Sequence, residues 1–219
     1  MNISSPVIDP VTPLGAAPAI LAAANLLLPH LERGQRVDTA ILRDAMETAF
    51  GASDASGAWD WKLAYEAGEA ALVLFMQKFG RALLARAGSP AALLPILAKV
   101  SGLLPTHTRR SEEMERFQQF STPAPIGFLA ARAAAITARD IVLEPSAGTG
   151  LLAVHGHFAG ARLLLNEIDA WRARLLRHAF TEGRLSTHDG ELIDDMLDPQ
   201  LVPSVVLINP PFSRSQGRG

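Results

Sequence analysis

The chain has no cysteine, which excludes a disulfide framework, a thiolate zinc cluster and a thiol nucleophile. It also lacks a long apolar run. The longest, Ala16 to Pro29, is too short to span a bilayer and is interrupted by Asn25. The N-terminus has no basic region followed by an apolar core and a small-residue cleavage site, so a soluble cytoplasmic protein is expected. An excess of basic charge is missing too. The formal net charge is -2, with 8 basic against 9 acidic residues before Thr108 and 12 against 13 after it, so neither half is a basic nucleic-acid clamp. What is present is 48% hydrophobic and 19% charged residues over 219 positions, enough apolar material to bury a core.

The pattern divides the chain. Residues 1–15, rich in Pro, Ser and Gly, read as a flexible arm. Residues 16–104 read as a helical N-terminal domain. Ala16 to Leu31 is Ala/Leu-rich, Asp38 caps a helix to about Phe50, and Gly51 to Gly57 is a turn cluster. Trp59 to about Ala87 carries Trp61, Tyr65, Leu72, Phe75, Met76 and Phe79 at helical spacing, with Gly68 and Gly80 as candidate interruptions. Trp59 and Trp61 read as core. Ser89-Pro90 opens a further helix ending near Gly102.

After a linker at Pro105 to Arg110 the character changes. A short helix is expected over Ser111 to Phe117, an extended segment over Phe120 to Pro125 and a helix over Ile126 to Ile136. Strands at Ile141 to Leu143, Arg162 to Leu165, Arg184 to Thr187 and Val205 to Ile208 then alternate with helices at Leu151 to Phe158 and Ala170 to Phe180. That alternation implies a parallel sheet with right-handed crossovers, its strands buried on both faces.

Four places carry chemistry. Glu144-Pro145-Ser146-Ala147-Gly148-Thr149-Gly150 follows the first strand and opens a helix, so small residues let the backbone approach a ligand. Glu144 there would repel a phosphate but suits the cationic amino group of a bound amino acid, and no Gly-Lys-Ser/Thr follows to make a P-loop. Glu167 ends the second strand, where a carboxylate can accept both ribose hydroxyls of a nucleoside; Asp169 stands at a helix N-cap. Asp189 follows the third strand and is either a contact to an adenine amine or a turn residue ahead of Gly190. Asn209-Pro210-Pro211-Phe212 follows the fourth strand. It is a stiff loop whose Asn209 amide and Pro210 carbonyl can converge on one amino group while Phe212 offers a face for a planar ring. The histidines at 155, 157 and 178 lie on helices without clustered ligands, so no metal site is expected, and Arg172, Arg174 and Arg177 read as a solvated helix face.

Together these residues resemble the amino-group methyltransferases of the class I, Rossmann-like fold. Glu144 to Gly150 matches the cofactor motif, Glu167 with Ile168 beside it the ribose-binding position, Asp189 the adenine-side acid and Asn209 to Phe212 the catalytic motif. Upstream, Phe120-Ser121-Thr122-Pro123 is similar to the Phe-x-Thr-Pro segment that packs near the methionine moiety in N6-adenine enzymes, and the motif order is the gamma arrangement. The resemblance covers roughly Glu112 to Ser213, about half the chain. More narrowly, it extends to the methyltransferase portion of large phage and plasmid proteins in which a strawberry-notch-like helicase follows.

The resemblance implies S-adenosylmethionine as cofactor, held by Phe120, Thr122, Pro123, Glu144, Pro145, Ser146, Ala147, Gly148, Gly150, Glu167, Ile168 and Asp189, and DNA with a flipped-out adenine as substrate. Hydrogen bonds to Asn209 and Pro210 would turn the adenine N6 lone pair toward the methyl group. The expected fold is α/β: a partial Rossmann-like class I methyltransferase parallel sheet preceded by an all-α domain. Family members have seven strands, so residues 105–219, with four, are expected to be the N-terminal half of that domain, inactive alone and continued by downstream domains. RNA or a protein glutamine as the substrate, and a non-catalytic binding or assembly module, are the alternatives.

Overall fold

The computed structural model describes residues 13–105 and 121–209. Most of the N-terminal arm and the short helix expected over Ser111 to Phe117 lie outside them.

Helix α1 (Pro13–Glu32) presents Ala17, Ile20, Ala23, Ala24 and Leu27 as a buried face of mostly small side chains. Asp38 accepts from the N–H groups of Ala40 and Ile41 and opens α2 (Thr39–Phe50), which Gly51 closes in the left-handed conformation. Asp60 caps α3 (Trp61–Ala87) through the Leu63 N–H, and Ser89 caps α4 (Pro90–Ser101) through that of Ala92. Gly68 and Gly80 do not interrupt α3. At Gly80 a Cβ would stand 3.0 Å from the Phe158 ring, so this glycine lets a second element lie close against the helix. The next helix, α5 (Ala124–Ala133), starts two residues earlier than its apolar pattern, because a proline in its first turn has its φ already set for a helix.

The strands β1 (Ile141–Glu144), β2 (Arg162–Asn166), β3 (Arg184–Ser186) and β4 (Val205–Val206) form one parallel sheet in the order β3-β2-β1-β4. Val142 pairs with Leu163 on one side and Val205 on the other. Between the strands run α6 (Ala153–Ala159), α7 (Ala170–Ala179) and, after a 3-10 turn at Gly190–Leu192, α8 (Ile193–Met196). Regular β4 is shorter than the apolar run Val205 to Ile208, although the Leu207 N–H still donates to the Leu143 carbonyl at 2.9 Å.

The chain is thus a mixed α/β structure. Val142, Leu163 and Leu165 point to one face of the sheet and share a single buried cluster with α1, α3, α6 and α7. Leu143 and Leu164 point to the other face, where Ile193, Leu197 and Leu201 cover them. Val206 and Ile208 remain 52% and 56% exposed.

The long helix α3 is the seam between the two halves of the sequence. The Arg81 guanidinium Nε donates to the Phe158 carbonyl at 2.8 Å and the Gln77 amide to that of Ala179 at 2.9 Å, each at a helix C-terminus where carbonyls lack intrahelical partners. Arg172 does not lie on a solvated face. It is 8% exposed and donates through Nε and a terminal nitrogen to Glu66 Oε1, at 3.2 and 2.5 Å; Arg174 and Arg177 are exposed. No helix among the described residues is long and apolar enough to cross a membrane.

Candidate functional site

At the carboxyl end of β1 the chain turns sharply through residues 145–150, with Gly148 at φ +56° and Gly150 at φ +87°. The Ala147 N–H donates to the Asn166 carbonyl at 2.9 Å and the Gly150 N–H to the Ala147 carbonyl at 2.8 Å. The two glycines differ in surroundings. A Cβ on Gly150 would lie 2.4 Å from the Phe180 ring, whereas one on Gly148 would meet nothing within 4 Å. Gly148 is therefore where the turn presents bare backbone to open space. Pro145 and Ala147 are buried, and Ser146 is half-buried with its Oγ lacking a protein partner.

Glu167, 6% exposed, leaves β2 toward this turn. One carboxylate oxygen accepts the Gly148 N–H at 2.7 Å and the other the Asp169 N–H at 2.9 Å. An ionised carboxylate has about four acceptor positions, so these two bonds fix its orientation and leave capacity for ligand hydroxyls. Ile168 beside it is 65% exposed, an apolar surface at the mouth of the turn. Asp169 caps α7 through the N–H groups of Trp171 and Arg172. Asp189 is exposed and accepts from the Glu191 N–H at 3.0 Å, which is the turn role, while Gly190 behind it lies against the Pro145 carbonyl.

Asn166 holds this rim together. Its Nδ2 donates to the carbonyls of Pro145 and His188, both at 2.9 Å, and its Oδ1 accepts from the Ser186 hydroxyl and the His188 N–H. The ends of three strands are thereby tied through one buried amide.

Asn209 and Thr122, 87 residues apart, are joined: the Asn209 Nδ2 donates to the Thr122 Oγ1 at 3.0 Å. The neighbouring Ser121 hydroxyl donates to Glu69 Oε2 at 2.7 Å, and the Thr149 hydroxyl of the glycine turn donates to the same oxygen at 2.9 Å. Burial raises the Glu69 carboxyl above its ordinary range, and these two hydroxyls act against that rise. Beside them opens a cleft of about 220 Å³ lined by Tyr65, Glu69, Ser101, Ser121, Pro123 and Leu151. The three sequence motifs therefore converge, through an acid of α3.

Glu144 stands apart from this convergence. It is 3% exposed, burial pushes its carboxyl well above the usual range, the Ala153 N–H counteracts this, and Oε2 has no protein partner. Phe120, Pro210, Pro211 and Phe212 lie outside the described residues. Among the described residues no three His, Cys, Asp or Glu side chains are arranged to hold a metal ion.

Sequence reading passed over Glu66, Glu69, Asn166 and the buried place of Arg172. One signal for Glu69 was present: it falls on the stripe of Tyr65, Leu72 and Met76, where an acid needs a partner. No protein-family description, curated protein or solved structure matches this chain.

Proposed function

We propose that this chain carries the cofactor-binding and catalytic parts of a class I, Rossmann-like S-adenosylmethionine-dependent methyltransferase acting on the N6 amine of adenine in DNA. The observation that carries this reading is the convergence of Thr122, Thr149 and Asn209 at the carboxyl ends of the strands. Three motifs far apart in sequence meet in one place. The sheet order supports it: β3-β2-β1-β4 is the first part of the doubly wound arrangement in which ligands bind outside the strand ends, where the order reverses.

The residues fit the cofactor in part. Gly148 presents backbone to open space, Glu167 retains acceptor capacity beside it, and exposed Ile168 offers an apolar face for an adenine ring. Glu144 is buried at the end of β1, with Oε2 lacking a protein partner. S-adenosylmethionine, when bound, supplies an electrophilic methyl group. The chain's own contribution is to orient the acceptor of that group. The hydrogen bond from Nδ2 to Thr122 holds the Asn209 amide at the strand ends, and the resemblance gives its carbonyl oxygen the role of accepting an exocyclic N–H. Pro210 and Phe212 keep the acceptor and stacking roles that the resemblance gives them.

Titration calorimetry with S-adenosylhomocysteine tests the cofactor site: the parent chain should bind, and Gly148→Trp, which fills the open side of the turn, should not. Asn209→Ala should lower transfer of a tritiated methyl group to DNA by roughly 100-fold or more at little-changed cofactor affinity, the pattern for an interaction used in the transition state. Equal binding by Gly148→Trp, or full transfer by Asn209→Ala, would overturn the assignment.

A further inference from the structure

The helical N-terminal segment reaches the site through one side chain. Glu69 lies on α3, 80 residues before Thr149 and 52 before Ser121, yet a single oxygen of its carboxylate accepts both hydroxyls. Thr149 stands between the two left-handed glycines of the turn, and Ser121 directly precedes Thr122, the partner of Asn209. No backbone hydrogen bond between those segments does the same work among the described residues; the Gly150 N–H stays within its own turn.

We propose that Glu69 is a positioning residue, which fixes the glycine turn and the Ser121-Thr122 segment relative to each other and so presets the cofactor and catalytic motifs. The proposal rests on the reading above for what those motifs bind, but the juxtaposition itself is independent of any ligand. Three features support it. The carboxylate is held by neutral hydroxyls rather than by a cation, so its role toward them is directional. Each hydroxyl has one proton, and both are spent on the same oxygen. One turn earlier on the same helix, Glu66 grips Arg172, which follows the cap of α7 by three residues, so α3 holds the helix beyond Glu167 as well.

The substitutions separate positioning from direct contact with a cationic ligand. Glu69→Gln keeps a carbonyl oxygen able to accept both hydroxyls but removes the charge. Glu69→Ala removes both. Thr149→Val is nearly isosteric and removes one donor. Hydrogen exchange followed by mass spectrometry over residues 121–128 and 145–152 reads the loops directly, and calorimetry with S-adenosylhomocysteine reads the ligand.

For a positioning role, Glu69→Ala should speed exchange in both segments and weaken cofactor binding roughly 10-fold, the value of one hydrogen bond to a charged group. Glu69→Gln should stay close to the parent in both measurements. Thr149→Val should loosen residues 145–152, and adding it to Glu69→Ala should have little further effect there, because the bond is already gone.

If Glu69→Gln loses as much affinity as Glu69→Ala while its exchange matches the parent, the carboxylate meets the ligand and the positioning role is wrong. Unchanged exchange in Glu69→Ala would also overturn it. Should Glu69→Ala fail to fold, Thr149→Val and Glu69→Gln still decide the matter. A parent chain that binds no cofactor would defeat the proposed function, while the exchange comparison would still decide the role of Glu69.

Discussion

Replacing Arg172 by methionine leaves the Glu66 carboxyl in the core without its counter-ion. The two side chains are only 10% and 8% exposed, so water cannot take over. Removing one partner of a buried pair costs about 3–5 kcal/mol. In a chain of this length each kcal/mol lowers the melting temperature by roughly 2–4 °C, so at pH 8 the variant should melt about 6–20 °C below the parent. The pH dependence has a definite sign. Burial pushes Glu66 up from 4.5 to about 7, with Glu69 adding to the rise and Arg172 and Lys62 opposing it. Burial alone would lower Arg172, but Glu66, with smaller help from Glu167 and Asp169, more than offsets this and raises the guanidinium above its ordinary value.

The native state therefore keeps a proton on Glu66 that the unfolded chain releases. Its contribution to stability is fully present below pH 4.5 and is lost as pH rises through about 7. That interval corresponds to roughly 3 kcal/mol. In Arg172→Met the carboxyl titrates higher still. At pH 5 it is protonated in the fold and the penalty shrinks toward lost packing; at pH 8 it is largest. Circular-dichroism melts of the parent, Arg172→Met and Glu66→Leu with Arg172→Met, at both pH values, measure this. The double variant should regain most of the loss, since an apolar pair in place of a buried ion pair is often neutral or better. An equal drop at pH 5 and pH 8, or a double variant no more stable than the single one, would show that an uncompensated carboxylate is not the cause.

Two further outcomes follow from the same packing. Gly150→Ala combines a left-handed backbone with a Cβ 2.4 Å from the Phe180 ring and should cost about 2–4 kcal/mol in urea denaturation, whereas Gly148→Ala, with open space, should cost about 1 kcal/mol; equal costs would mean that Phe180 gives way. His155 is 1% exposed and burial lowers it to about 4, so its contribution is present above pH 6.5 and lost as pH falls toward 4; His155→Leu should flatten that part of the stability profile in melts between pH 4 and 7.

Much of the fold was legible because local chemistry and pattern agreed. Asp38, Ser89-Pro90 and Asp169 announce their helices by side chains that can accept the first N–H groups. The central strands β1 and β2 stand out as short apolar runs because both faces of the parallel sheet are covered there, whereas the edge strands β3, which reads Arg-Leu-Ser, and β4, with Val206 half exposed, are not buried on both faces. The start of α5 was not legible, since prolines at 123 and 125 read as extended chain until a helix forms after them. Gly68 and Gly80 read as breaks in α3 because the ring that needs the space at Gly80 belongs to Phe158, far along the chain. Of the site, the small residues of the turn and Asn209 could be picked out by type and spacing. The partners Glu69 with Thr149 and Glu66 with Arg172 could not, because each depends on which face of α3 meets which turn. The burial of Glu144 was hidden for the same reason: its position after β1 is visible in sequence, but its surroundings are not.

The reach of α3 sets an order of assembly. A ribosome completes this helix well before it makes the residues that satisfy it, Thr149 lying 80 positions after Glu69 and Arg172 106 positions after Glu66. Until then two acids sit on a surface destined for the core, and the Phe158 and Ala179 carbonyls that Arg81 and Gln77 will hold do not yet exist. Such long-range contacts form late, after their loop-closure entropy has been met. The nascent helices can collapse on one another, with their acids facing water, but they cannot close. Closure waits for β2 and α7, and the candidate site is completed later still, when Asn209 reaches Thr122.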